Sequence, residues 1–192
     1  MTHASKVGVV DVVTWARELA AVHLADAVPR RWRHVQAVAD QAKRASRACG
    51  PDADLLVAAA LLHDVGYAPA LVSTGIHALD GARYLRSIDA DERLCGLVAH
   101  HSSAATDAEL AGLTAEIAEF EDEQTPVRDA LWWADMTVGP DGDVVAFPDR
   151  MAEVRARYGP DHPVSRALDK SMPEREAAVQ RTEARLRALD QV

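Results

Sequence analysis

Apolar residues recur three or four positions apart along most of this chain, and no stretch sustains a two-residue alternation, so the pattern predicts an all-α protein. From Val10 to Val28 the residues Val13, Ala16, Leu19, Ala20, His23 and Leu24 share one face, and Pro29 ends the segment. On that face His23 reads as a histidine of the core or its rim. A second helix is expected from about Arg31 to Cys49, stopped by Gly50-Pro51, with His34, Val38, Ala42 and Ala45 along one stripe. The third, capped by Asp52 or Asp54, carries Leu55 to Leu62, a run apolar on every side that belongs at the centre of a fold.

Beyond a loop over Ala68 to Gly75, Ser73 or Thr74 is placed to cap a helix that starts near His77 and continues through Ala82, Leu85 and Ile88. Asp89 to His101 reads as the next helix, with Leu94, Leu97 and Val98 inside, followed by an acidic helical segment from Ala104 to Glu123 broken at Gly112. Pro126 suits the first turn of a helix that passes Trp132-Trp133 and delivers Asp135. Pro140-Asp141-Gly142-Asp143 is turn chemistry and lacks the spacing and glutamate of an EF-hand loop. Asp149 to Arg157 and Val164 to Leu189 read as helices, the second interrupted by Pro173. Val179, Thr182, Leu186 and Leu189 give that last helix an apolar stripe for docking on the core; a homodimer formed through it is the alternative, although the pattern is too short for a coiled coil.

The central apolar run ends abruptly in His63-Asp64-Val65-Gly66-Tyr67. An imidazole and a carboxylate buried side by side each need a partner, because an unpaired buried polar group costs about 1 to 3 kcal/mol. A divalent cation partners both. Consecutive helical residues diverge by about 100°, so His63 and Asp64 converge only where the helix ends or distorts, as Gly66 permits. His34 lies on the buried stripe of its helix, and Asp135 sits among apolar residues where an ionised carboxylate without a cation is costly. His77 opens a helix, where the dipole disfavours an imidazolium and suits a neutral, coordinating ring. In the doublet His100-His101, either ring can approach a metal or cap the helix end. His100 is preferred because it follows Leu97 by three residues, leaving His101 for metal or substrate. Tyr67 either donates a hydrogen bond to substrate or packs. Arg30, Arg31 and Arg33 either clamp a phosphate beside His34 or face water.

His34, His63-Asp64, His100-His101 and Asp135, in that order, with Arg30 to Val35, Ile76 to Ala82 and Trp133-Ala134-Asp135 around them, resemble the signature of the HD-domain superfamily of metal-dependent phosphohydrolases over roughly residues 30–140. The resemblance implies an HD-type helical bundle with a metal site in its core and flanking helices over residues 10–28 and 149–190. It also implies one or two divalent ions, drawn from Mn, Fe, Co, Ni, Mg or Zn. His34, His63 and Asp135 would hold the first, Asp64 would bridge, and His77 with His100 or His101 would hold the second. A metal-activated hydroxide would hydrolyse a small phosphorylated substrate, a nucleotide or metabolite, with Asp64, Arg33 and Tyr67 in the catalytic machinery. The same ordered set resembles HD-fold mixed-valence diiron oxygenases, which cleave a carbon bond in a polyol or phosphonate; a non-catalytic metal- or nucleotide-binding module is a further alternative. Two departures narrow the subfamily: Ser102-Ser103-Ala104 stands where cyclic-dinucleotide phosphodiesterases have Gly-Tyr-Pro, and Tyr67 stands where a lysine often follows the glycine.

Composition adds bounds to this picture. With 192 residues, 48% of them hydrophobic, the chain can bury one substantial core, so a single domain over residues 1–192 is expected. A net charge of -9 argues against nucleic acid and anionic membranes as partners. Cys49 and Cys95 lack a C-x-x-C spacing and read as packing residues, and with no leader-like run the expected setting is the cytoplasm.

Overall fold

A computed structural model describes residues 11–191, which form ten α-helices and short connecting turns. The expected start of the first helix at Val10 lies outside the described residues. Within them α1 spans Val12–Leu24, opened by the Asp11 carboxylate, which accepts from the Thr14 amide at 2.9 Å. Helix α1 ends at Leu24 rather than at the expected Val28, and helix α2, Pro29–Ala45, begins two residues earlier than the pattern suggested, because Pro29 is its first residue and not the stop of the one before. Then come α3 (Ala53–Leu62), α4 (His77–Ser87), α5 (Glu92–Ala99), α6 (Ala104–Leu110) and α7 (Thr114–Ile117), followed by α8 (Pro126–Met136), α9 (Phe147–Tyr158) and α10 (Pro163–Leu189). Gly112, at φ 75°, separates α6 from α7. No β-strand occurs among the described residues; a single antiparallel bridge, Val138 to Val144, closes the Pro140-Asp141-Gly142-Asp143 turn.

Every residue of α3 from Leu56 to Leu62 is buried, and α1, α2, α5 and α8 pack around it. Such an all-apolar helix is stable only when enclosed, and the surrounding helices each supply one apolar stripe. One continuous hydrophobic core runs from Ala16 to Val179.

Helix α10 lies along α8 and is tied to it by charge as well as packing. The buried Asp129 accepts hydrogen bonds from Arg181 at 2.6 and 2.8 Å and from Arg185 at 2.7 Å. Arg128, stacked 3.9 Å from Trp132, reaches Asp122 at 2.8 Å and Glu174 at 2.7 Å. The expected interruption at Pro173 does not occur: α10 runs unbroken through it. Pro173 is on the exposed face, as is Asp169, whose carbonyl the proline leaves without an intrahelical donor, while Leu168, Ser171, Arg175 and Ala178 keep both halves of the helix docked. Among the described residues no helix is long and apolar enough to cross a membrane.

Candidate metal centre

Helix α3 stops at Leu62, and His63-Asp64 falls in the turn beyond it, with Asp64 at φ -103°, ψ 10°. This break lets the two side chains converge, His63 Nε2 lying 3.2 Å from Asp64 Oδ2. Gly66 follows because nothing larger fits: a Cβ there would stand 2.0 Å from the His77 carbonyl oxygen and 2.6 Å from the Gly81 amide nitrogen. The start of α4 is thereby pressed onto the turn, which brings His77 Nε2 to 3.3 Å from Asp64 Oδ1. Asp80, buried in the first turn of α4, accepts from the Ser73, Thr74 and Gly75 amides and holds the preceding loop in place. The capping thus runs from Asp80 back to the loop, and the expected caps by Ser73 or Thr74 are not formed.

Three histidines are oriented in the same way. His34 Nδ1 donates to the Gly139 carbonyl at 2.9 Å, His63 Nδ1 to the Ala60 carbonyl at 2.8 Å and His101 Nδ1 to the Val98 carbonyl at 2.7 Å. A carbonyl oxygen only accepts, so each Nδ1 carries a proton, and in its neutral form each ring turns an Nε2 lone pair inward. Those nitrogens face carboxylate oxygens: His34 Nε2 is hydrogen-bonded to Asp135 Oδ1 at 3.0 Å, and His63 Nε2, buried with no hydrogen-bond partner, is 3.7 Å from the same oxygen. His101 Nε2 is 3.8 Å from Asp64 Oδ1 and 3.1 Å from His77 Nε2. Nitrogens and oxygens this close need either a proton or a cation between them, as the hydrogen bond from His34 to Asp135 and that between His77 and His101 illustrate, and a histidine that donates its other N–H to a backbone carbonyl is oriented as metal ligands are. Two overlapping groups can hold an ion: His34, His63 and Asp135, and His63, Asp64 and His101. The donor set, imidazole and carboxylate without thiolate, suits first-row divalent metals.

Electrostatics agree with that fit. Burial raises the carboxyls of Asp64 and Asp135, but neighbouring cationic groups, Arg31 and His63 for Asp64 and His34 and His63 for Asp135, hold both well below the usual range. Burial lowers His63, and the two carboxylates outweigh it, lifting the ring to about 9 in the absence of an ion. His101 is pushed down to about 3 by burial, with repulsion from His63 and His77 added.

Two of the sequence-predicted site residues are placed elsewhere. His100 turns away from the cluster, its Nε2 donating to the Phe120 carbonyl at 2.9 Å, and His101 takes the inward position. The stripe argument from Leu97 fails because α5 ends at Ala99 and the helical periodicity ends with it. Arg33 points to the exposed Asp141, 3.6 Å away, which Arg30 also binds at 2.9 Å. Arg31 instead donates to Asp64 Oδ2 at 2.7 Å. The signal was present in the spacing: Arg31 is three residues before His34 and shares its face, while Arg30 and Arg33 share another. Tyr67 is at the site, stacked on His77 with centroids 4.1 Å apart and covered by the Arg31 guanidinium at 4.1 Å. Burial, with Asp64 nearby, pushes its hydroxyl upward, so it stays protonated through the neutral range.

One residue carried no signal in the sequence. Ser102 Oγ donates to Asp135 Oδ2 at 2.5 Å, from a backbone in which Ser102 and Ser103 both take left-handed conformations, φ 48° and 61°. Strain of this kind, unusual for non-glycine residues, is held in place only where the surroundings overdetermine it. Here it fixes the one Asp135 oxygen and leaves the other to His34 and His63.

A cavity of about 140 Å³ opens from the cluster, lined by Asp64, His77, His101 and Asp135 on the metal side and by residues of α9 and α10 on the other. A family model described as HD domain matches residues 31–135, a span that begins in α2 and ends at Asp135. No curated protein and no solved structure matches the chain.

Proposed function

The chain belongs to the HD-domain family, whose members bind divalent metals and include many metal-dependent hydrolases, and from that premise we propose that it hydrolyses a small phosphoester, a nucleotide or a phosphorylated metabolite. The observation that carries the reading is the convergence of three imidazoles, each oriented by a backbone carbonyl, on the buried Asp64 and the part-buried Asp135 at the floor of a cavity. His34, His63 and Asp135 would hold one ion, and His101, with Asp64 shared and His77 beside it, a second. A bound divalent cation supplies Lewis acidity, lowering the pKa of a water from about 15.7 towards 7 and neutralising charge on phosphoryl oxygens.

The chain's own residues do the rest. Both carboxylates stay ionised because cationic neighbours hold their pKa values down. Ser102 fixes the orientation of Asp135, and Arg31 that of Asp64. The Arg31 guanidinium lines the cavity with donors to spare for a phosphoryl oxygen. Tyr67, stacked between Arg31 and His77, keeps both rings and guanidinium in register and presents a protonated hydroxyl as a donor.

The test is metal quantification on protein purified without added cations, paired with a phosphate-release assay over nucleotides and sugar phosphates. The native chain should retain metal and release phosphate, and Asp64→Asn should do neither. Unchanged metal content in Asp64→Asn would remove the site. Metal-loaded protein that releases no phosphate, while its iron form consumes oxygen, would make the chain a mixed-valence diiron oxygenase instead.

A further inference from the structure

Four arginines line the cavity, and three of them are already in contact with a carboxylate. Arg31 is paired with Asp64, and Arg150 and Arg157 both bind Glu153. Arg175 is different. Its residue is only 9% exposed, and among the described residues no carboxylate oxygen lies within 4.0 Å of its guanidinium. Nε donates to Ser171 Oγ at 2.7 Å, and Nη1 approaches the Met136 thioether, a weak acceptor, at 3.6 Å. The remaining N–H groups have no protein acceptor among the described residues, and the side chain borders the cavity. A buried cation without a counter-ion is destabilising, and burial pulls the Arg175 pKa down accordingly. Three carboxylates act on it from further away, Asp107 of α6, Asp135 and Glu174, with Arg150 opposing them, and none of the three comes within ion-pairing distance of its guanidinium. Helix α10 lies outside the span matched by the family model, so family membership does not account for this guanidinium.

We propose that Arg175 is the anion-recognition residue of the cavity, receiving a non-bridging phosphoryl oxygen of the substrate. The inference rests on the cavity being the substrate site of a metal-dependent phosphohydrolase. The planar fork of arginine suits two oxygens of one phosphoryl group, which a lysine ammonium cannot span. Ser171, which donates to the Ala167 carbonyl at 2.7 Å and accepts from Nε, fixes the fork before any anion arrives.

The experiment measures binding of inorganic phosphate to metal-loaded protein by calorimetry and by the shift in melting temperature, for the native chain, Arg175→Met and Arg175→Lys. Arg175→Met should keep its metal content, melt at least as high as the native chain without phosphate, and bind phosphate roughly ten-fold or more weakly, the effect of losing one charge-assisted hydrogen bond. Arg175→Lys should fall between the two. A native chain that retains no metal condemns the hydrolase reading. Retained metal with phosphate affinity unchanged in Arg175→Met overturns the role of Arg175 alone. If Arg175→Met does not fold, Arg175→Lys decides: weakened phosphate binding at an unchanged melting temperature supports the assignment, and unchanged binding overturns it.

Discussion

His100 and His101 are neighbours whose rings do opposite things, and the difference comes from one proton each. His101 gives its Nδ1 proton to the Val98 carbonyl and turns a lone pair inward, while His100 spends Nε2 on the Phe120 carbonyl and contributes to packing. His101→Ala should therefore lose bound metal, read by mass spectrometry of the purified protein. His100→Ala should retain it and lower the unfolding free energy by about 1 to 3 kcal/mol, because the Phe120 carbonyl is left without its partner. The reverse outcome would restore the sequence-based preference for His100. At this scale the individual donors His34, His63, Asp64, His77 and Asp135 were legible as residue types in an ordered series. Which of two adjacent histidines, and which of three nearby arginines, faces inward depended on where a helix ends and how its turns are phased.

At the scale of elements, the decisive contact is the approach of α4 to the turn after α3. Gly66 and Gly81 meet backbone to backbone, and a Cβ on Gly81 would come within 3.1 Å of the Gly66 amide nitrogen. Gly66→Ala forces α4 away, carrying His77 with it. The expected cost is about 1 to 3 kcal/mol of stability, in the range of overpacked cores, together with weaker metal retention; urea unfolding and metal analysis on the same preparation check both. A Gly66→Ala protein of native stability would mean that α4 yields freely. The sequence showed that a glycine follows the His-Asp pair but not why, because its cause is a helix eleven residues further on. Pro173 is the converse: as a local signal it predicted a break, and the docking of both halves of α10 overrode it.

For the whole molecule, the question is what holds the C-terminal helix over the metal floor. Asp129 answers it in part, since burial would raise its pKa and the hydrogen bonds from Arg181 and Arg185 overcome that and depress it. A carboxyl with a lowered folded pKa contributes stability that is present above its unfolded value, about 3.9, and lost as the pH falls through the folded one. Asp129→Asn should thus be less stable than the native chain at neutral pH, and the gap should close on acidification below about pH 4. Urea midpoints at neutral pH and in acid measure it; a gap independent of pH would show that the ionised carboxylate is not what ties α10 to α8. Because α10 carries Arg175, loosening it should also weaken phosphate binding without releasing metal.

The chain's own letters determined the all-helical class, the buried central helix and the family, since periodicity and the order of histidines and aspartates are properties of the string. They also determined that His63 and Asp64 could meet only at a helix end. Tertiary structure alone decided that Gly139, on a turn 105 residues from His34, supplies the carbonyl that orients it, that Ser102 holds Asp135, and that an Arg175 without a carboxylate partner borders the cavity from outside the family span. Hydrogen-bond direction and ion pairing depend on which atoms lie a few ångströms apart, and in a bundle those atoms belong to helices remote in sequence.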